Sequence, residues 1–320
     1  MCRRSGSGGN RSGGKKRNAK QLVQWAREPT MTLRLAIFDL DGTLKQERDP
    51  YVYLHKRLGT WEASQSFFPQ GLAGHIPYAE WLRLDASLWI GVERATLERL
   101  FAEVPYLPGA PEAVRELQQR GLRIAIVSTG LSLHAAQVAD ELGADVYVAN
   151  EVLFDAAGRV SGETRVGVPE GGKGPVVETL QARFGVGSEE TLAVGDGTSD
   201  VAMFERAALA VAVAPISEQV RAAADIVLEQ PDLRPLIGRI VAYDAELLRA
   251  DRASGVRAGG GMRRILASVP GCETWPERCG RSGDDERLPL REPLTMDREC
   301  LSSNYGRARH FSPASGWSWS

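Results

Sequence analysis

The chain has 320 residues, 43% of them hydrophobic, and a formal net charge of −2, which is enough apolar material for at least one substantial core. A balance so near neutral gives no general attraction to nucleic acid or to an anionic membrane, and neither is expected as a partner. No apolar run is long enough to span a bilayer, and no apolar stretch follows the basic N-terminus, so we expect neither a membrane helix nor a secretory signal, and a cytoplasmic protein.

Residues 1–30 are rich in Gly, Ser, Arg and Lys and offer almost nothing to bury; they are expected to form a disordered basic arm. The periodic pattern starts after Met31. A first strand, "LRLAIF", runs directly into Asp39-Leu40-Asp41-Gly42-Thr43. The segment 45–106 is helical in pattern and aromatic-rich, which predicts a cap inserted after that strand. From 107 the chain alternates between amphipathic helices ("PEAVRELQQRG", "LSLHAAQVADELG", "GPVVETLQARFG", "SEQVRAAAD") and short apolar runs without alternation ("LRIAIVS", "TLAVGD", "LAVAVA"). Runs of the second kind are what parallel strands covered on both faces look like. A hairpin turning near Gly158 is expected within "EVLFDAAGRVSGETRVGV". The fold class is therefore α/β: a doubly wound parallel sheet built from 31–44 and 107–250, with the helical cap between. From about Asp251 to Ser320 the periodicity is lost, and a disordered tail is expected. The four cysteines, Cys2, Cys272, Cys279 and Cys300, all lie in the terminal segments, which fits a reduced compartment. Cys272 and Cys279 are poorly spaced for zinc.

In an open parallel sheet, ligands bind at the carboxyl ends of the strands. There this sequence places Asp39 and Asp41 after the first strand, Ser128-Thr129-Gly130 after the second, and Asp196 and Asp200 after the third, with Lys173 opening the helix between the last two. Four carboxylates gathered at one edge repel unless a cation compensates them. Oxygen ligands without Cys or His select a hard ion, most simply Mg²⁺. Lys173 and Ser128, read as donors without acid partners of their own, suit phosphate oxygens. The combination points to metal-assisted phosphoryl transfer, with Asp39 as nucleophile and Asp41 as the acid that protonates the leaving group and the base that then activates water.

"DLDGT", "VSTG", "GGKGP" and "GDGTSD", in this order and spacing, resemble the four motifs of the haloacid dehalogenase superfamily phosphatases. The likeness runs over about 33–240 and is greatest to the phosphoserine phosphatase-like branch. It implies Asp39 as nucleophile and Asp41 as acid/base with its backbone carbonyl on Mg²⁺. It also implies Asp196 as a metal ligand, Asp200 orienting water at the ion, and Ser128, Thr129 and Lys173 on the phosphate of a small phosphorylated metabolite. Two positions depart from the usual pattern: Thr129 stands where the branch has glycine, and Ser199 where asparagine is common. Both bear on the substrate more than on the chemistry. In the cap, Asp85 stands where that branch carries an arginine for the substrate carboxylate, and Glu47 matches within one residue an acid that faces the substrate amine. Two acids without an arginine would disfavour a carboxylate-bearing substrate. Asp85 falls on an apolar helix face with Tyr78, Trp81, Leu82, Trp89 and Val92, where it must be a ligand group or paired with a base such as Arg57 or Arg94.

A phosphotransferase or mutase would use the same core, and a non-catalytic scaffold would be expected to have lost Asp39 or Asp41, which are both present. His134, alone in a helical stretch, is expected to be a surface or structural residue.

Overall fold

The four residues of β1 (Leu35–Phe38) are all buried. This strand needs no polar alternation because it runs between two parallel neighbours, with Leu35 opposite Arg123 on one side and Thr191 on the other. The structure, a computed structural model, describes residues 33–169 and 171–243. The arm, the tail and the four cysteines lie outside the described residues.

After β1 come five helices: α1 (Pro50–Leu58), α2 (Trp61–Ser64), α3 (Phe68–Leu72), α4 (Tyr78–Ser87) and α5 (Arg94–Ala102). The chain then alternates through α6 (Ala110–Gln119), β2 (Arg123–Leu131), α7 (Ser132–Leu142), β3 (Val146–Phe154), β4 (Val160–Arg165) and α8 (Lys173–Phe184). It finishes with β5 (Thr191–Gly195), α9 (Val201–Phe204), β6 (Leu209–Val213), α10 (Glu218–Ala223) and β7 (Ile226–Leu228). The sheet order is β4-β3-β2-β1-β5-β6-β7, parallel throughout except for β3 with β4. The order reverses at β1, whose carboxyl end is therefore the place for a ligand crevice. Among the described residues no helix is long and apolar enough to cross a membrane.

Two strands exceed what the apolar pattern predicts. β3 begins five residues before the expected hairpin: its first half pairs in parallel with β2 and its second half antiparallel with β4. β7 is a three-residue edge strand, too short to announce itself by composition. Leu35, Ile37, Ala125 and Val127 pack with Val176, Val177 and Leu180 of α8, Met203 and Phe204 of α9, and Val220 of α10 in one apolar layer.

A second apolar cluster holds the inserted helices. Leu54, Leu82, Trp89, Leu97 and Phe101 pack against Leu131 and Leu133 at the β2–α7 junction and against Val152 and Val160 of the hairpin. This seats the insertion over the carboxyl edge of the sheet. α1 starts sharply because the Asp49 side chain accepts from the Tyr51 and Val52 amides (3.1 and 2.9 Å) and Pro50 occupies the first turn. α4 ends at Ser87, so Trp89 and Val92 follow the helix rather than extend its face. Trp89 is nevertheless fully buried, stacked on Tyr51 at 6.4 Å and tilted against His55 at 4.9 Å between ring centroids. Trp89→Ala would leave a cavity in the centre of this cluster, and urea unfolding should register a loss of about 3–5 kcal/mol.

Candidate active site

Asp39 extends the sheet by one residue, its amide donating to the Val194 carbonyl (2.9 Å). The chain then turns at Gly42, whose φ of +88° suits glycine, and a Cβ there would stand 2.5 Å from Asp196 Oδ2. Only a bare Cα lets the loops after β1 and β5 approach this closely. After β5, a short turn over Thr198–Asp200 folds Asp200 back so that its Oδ2 accepts from the Asp196 and Gly197 amides, both at 2.8 Å. Asp200 thus fixes the loop behind it rather than capping the helix ahead of it.

Lys173, the first residue of α8, is fully buried. Its Nζ lies 2.5 Å from Asp39 Oδ1 and 2.6 Å from Asp200 Oδ1. Asp39, Asp196 and Asp200 each present an oxygen within 4.8 Å of the others. Thr43 Oγ1 donates to Asp196 Oδ1 (3.3 Å) and the half-exposed Arg48 guanidinium lies 3.2 Å from Asp196 Oδ2. Burial pushes the Asp39 carboxyl up to about 7 against the pull of the Lys173 ammonium, with Asp200 and Asp41 adding repulsion. Burial, then the charges of Asp39 and Asp200, hold Asp196 well above the usual carboxylate range.

Asp41 sits among different neighbours. Ser128 Oγ donates to its Oδ2 (3.0 Å) while accepting from the Gly130 amide (2.8 Å), and His134 Nδ1 is 3.0 Å from its Oδ1. The expectation that Lys173 and Ser128 lack acid partners is therefore incorrect: Lys173 is held by Asp39 and Asp200, and Ser128 donates to Asp41. His134, expected to be a surface or structural residue, is buried. A helix that leaves β2 without a connecting loop must turn its first residues toward the strand-end loops, and that junction is the signal from which its place could have been read.

A cavity of about 240 Å³ opens above these groups, floored by Asp39, Asp41, Ser128, Asp196 and Asp200 and walled on the inserted-helix side by Arg48, Asp49, Tyr51 and Tyr78. Thr129 also lines it. The Thr129 carbonyl accepts from Tyr51 Oη, Tyr78 Oη and Asn150 Nδ2 (3.0, 2.7 and 2.7 Å), which ties the insertion to the carboxyl end of β2. Glu47 and Asp85 do not line the cavity. Asp85 Oδ1 is bonded instead to His55 Nε2 (2.9 Å), whose Nδ1 faces Thr60 Oγ1 (2.7 Å), and burial raises the Asp85 carboxyl. Neither Arg57 nor Arg94 is its partner; they pair with Glu103 and Glu98. The acid at the cavity is Asp49, pushed by burial up to about 6. The Asp-Pro pair that opens α1 was a legible helix start, but its position over the cavity was not.

A family model described as haloacid dehalogenase-like hydrolase matches residues 36–205. The chain belongs to the haloacid dehalogenase-like hydrolase family. The phosphoserine phosphatase of Wolinella succinogenes is 30% identical over 211 residues, 65% of this chain and 100% of its own. That of Methanocaldococcus jannaschii is 29% identical over 209 residues, 64% of this chain and 96% of its own. A solved phospho-aspartyl intermediate analogue of phosphoserine phosphatase superposes with a TM-score of 0.57 at 28% identity, covering 65% of this chain and 98% of that one. Within the family, this chain is a phosphatase of the phosphoserine phosphatase-like kind.

The raised carboxyls carry a pH signature. With Asp39 at about 7, Asp49 at about 6 and Asp196 also raised, the folded chain keeps protons that the unfolded chain releases near pH 4. Stability should then fall as pH rises from about 4 through 7. Thermal melts in excess chelator should give a lower Tm at about pH 7.5 than at about pH 5.5, and Asp39→Asn should flatten the difference.

Proposed function

We propose that the protein hydrolyses a small phosphomonoester through an aspartyl-phosphate on Asp39, with Asp41 as acid and base and with Mg²⁺ as cofactor. The observation that carries this reading is the unlike surroundings of the two aspartates, one in an ionic cluster and the other between a hydroxyl and an imidazole. The donor set fits the ion: three buried carboxylates within 4.8 Å, no nitrogen or sulfur ligand, and acids held above their usual range are what a hard divalent cation relieves. Asp39, Asp196, Asp200 and the Asp41 backbone carbonyl would hold it. When bound, it supplies positive charge that favours ionised Asp39 and neutralises phosphoryl oxygens.

Lys173 holds Asp39 Oδ1, which leaves Oδ2 to attack phosphorus. Lys173, Ser128 and Thr129 face the phosphoryl oxygens and oppose their charge. As the ester bond breaks, Asp41 delivers its proton to the leaving oxygen; it then takes a proton from the water that displaces Asp39. Similarity to a phospho-aspartyl analogue of phosphoserine phosphatase supports this sequence of steps.

On the substrate, the ground for disfavouring a carboxylate falls away, because Asp85 is committed to His55 and away from the cavity. Arg48 and Asp49, of opposite charge, face the cavity together, which suits a zwitterionic phosphomonoester such as the phosphoserine that the relatives' names specify. In a phosphomonoester panel with Mg²⁺, phosphoserine should exceed glycerol 3-phosphate in kcat/KM. Arg48→Ala should raise KM for phosphoserine more than for phosphoethanolamine, which has no carboxylate; equal effects on both would assign Arg48 to the acid cluster alone. Asp39→Asn should abolish turnover, as should excess chelator, and beryllium fluoride should inhibit the unmodified enzyme.

A further inference from the structure

His134 lies in the first turn of α7, and its ring is buried. It stacks on Phe101 of α5 with ring centroids 4.5 Å apart and planes 6° apart. Nδ1 faces Asp41 Oδ1 at 3.0 Å, while Nε2 is buried with no hydrogen-bond partner among the described residues. A phenyl or leucyl side chain would fill this place without leaving a polar nitrogen unpaired. Among the described residues, the imidazole's hydrogen-bonding partner is Asp41. The other oxygen of Asp41 is held by Ser128, itself fixed by the Gly130 amide. With Phe101 setting the ring plane, the imidazole is the contact that still holds the carboxyl when the single Ser128 hydroxyl hydrogen turns to a phosphoryl oxygen.

We propose that His134 is a positioning residue for the Asp41 acid/base, its Nδ1–H holding the carboxyl plane so that the proton Asp41 carries is aimed at the leaving oxygen. This rests on the roles proposed above for Asp39 and Asp41. In the first half-reaction Asp39 Oδ2 bonds to phosphorus, the phosphorus–ester oxygen bond breaks with its electron pair on the leaving oxygen, and that oxygen takes the Asp41 proton. In the second, water gives a proton to Asp41 as its oxygen bonds to phosphorus and the bond to Asp39 Oδ2 breaks. His134 exchanges no proton in either half. An alkoxide leaving group needs accurate delivery of the proton, whereas nitrophenolate departs without it.

The test measures kcat/KM with Mg²⁺ for phosphoserine and for p-nitrophenyl phosphate, a quantity that reports steps through formation of the aspartyl-phosphate. His134→Phe, which keeps the stacking and removes the donor, should lose on the order of 10-fold or more in kcat/KM on phosphoserine and far less on the nitrophenyl ester. His134→Asn, whose amide nitrogen reaches the place of Nδ1, should recover most of that selective loss, and the Tm of His134→Phe should not fall below that of the unmodified chain. Equal losses on the two esters, or no loss on either, would overturn the proposal. If His134→Phe does not fold, His134→Gln carries the test, because its amide reaches the place of Nε2 and should show the selective loss. Asp41→Asn is measured alongside: if it shows no preference for the nitrophenyl ester, the acid assignment itself fails and the proposal falls with it, an outcome distinct from a failure confined to His134.

Discussion

One buried ammonium shared by two carboxylates organises the carboxyl edge of this sheet. Lys173 reaches from the start of α8 to Asp39 after β1 and to Asp200 after β5, and so ties together the two strands that meet where the strand order reverses. Taking three charges out of water is costly, and removing any one would leave the others uncompensated. The arrangement persists because Asp200 is also held by two loop amides, and because Gly42 lets the loops close to a distance that a side chain would forbid.

The site nonetheless carries more negative than positive charge. Lys173 answers part of it, Arg48 lies against Asp196 from the partly exposed side, and the acids retain raised affinities for protons. A cluster built this way would be relieved by another cation, and that is the physical ground on which metal-assisted phosphoryl transfer is proposed. Asp41 stands apart from it. Its side-chain partners are a hydroxyl and an imidazole, and it reaches the ionic cluster only through the repulsion its charge exerts on Asp39. Asp39 and Asp41, separated only by Leu40, acquire different chemistry because each meets different partners, Lys173 for the one and Ser128 and His134 for the other.

The inserted helices wall one side of the cavity. Their apolar cluster rests on the β2–α7 junction and the hairpin, and two tyrosine hydroxyls close onto the Thr129 carbonyl. The same packing that seats the insertion also brings Phe101 onto His134. Asp85 and His55 belong to the interior of this cluster, where each satisfies the other's polar atom.

The α/β class, the insertion after β1 and the residues at the strand ends were legible because they rest on local properties: apolar runs, helical periodicity, and acids that follow a strand directly. β1 could be recognised from "LAIF" alone, and Asp39, Asp41, Ser128, Lys173, Asp196 and Asp200 came together because parallel strands put their carboxyl ends on one edge. β7 was missed because three residues carry no periodicity, and the first half of β3 because a strand shared between parallel and antiparallel partners shows no single pattern. Partnership was decided only in three dimensions. Asp85 meets His55 across 30 residues and Asp41 meets His134 across 93, while Asp49 rather than Glu47 faces the cavity. Sequence spacing places a side chain on its own helix or strand. Which side chain it touches depends on how that element packs against others, and a buried polar atom takes whichever partner the packing brings within about 3 Å.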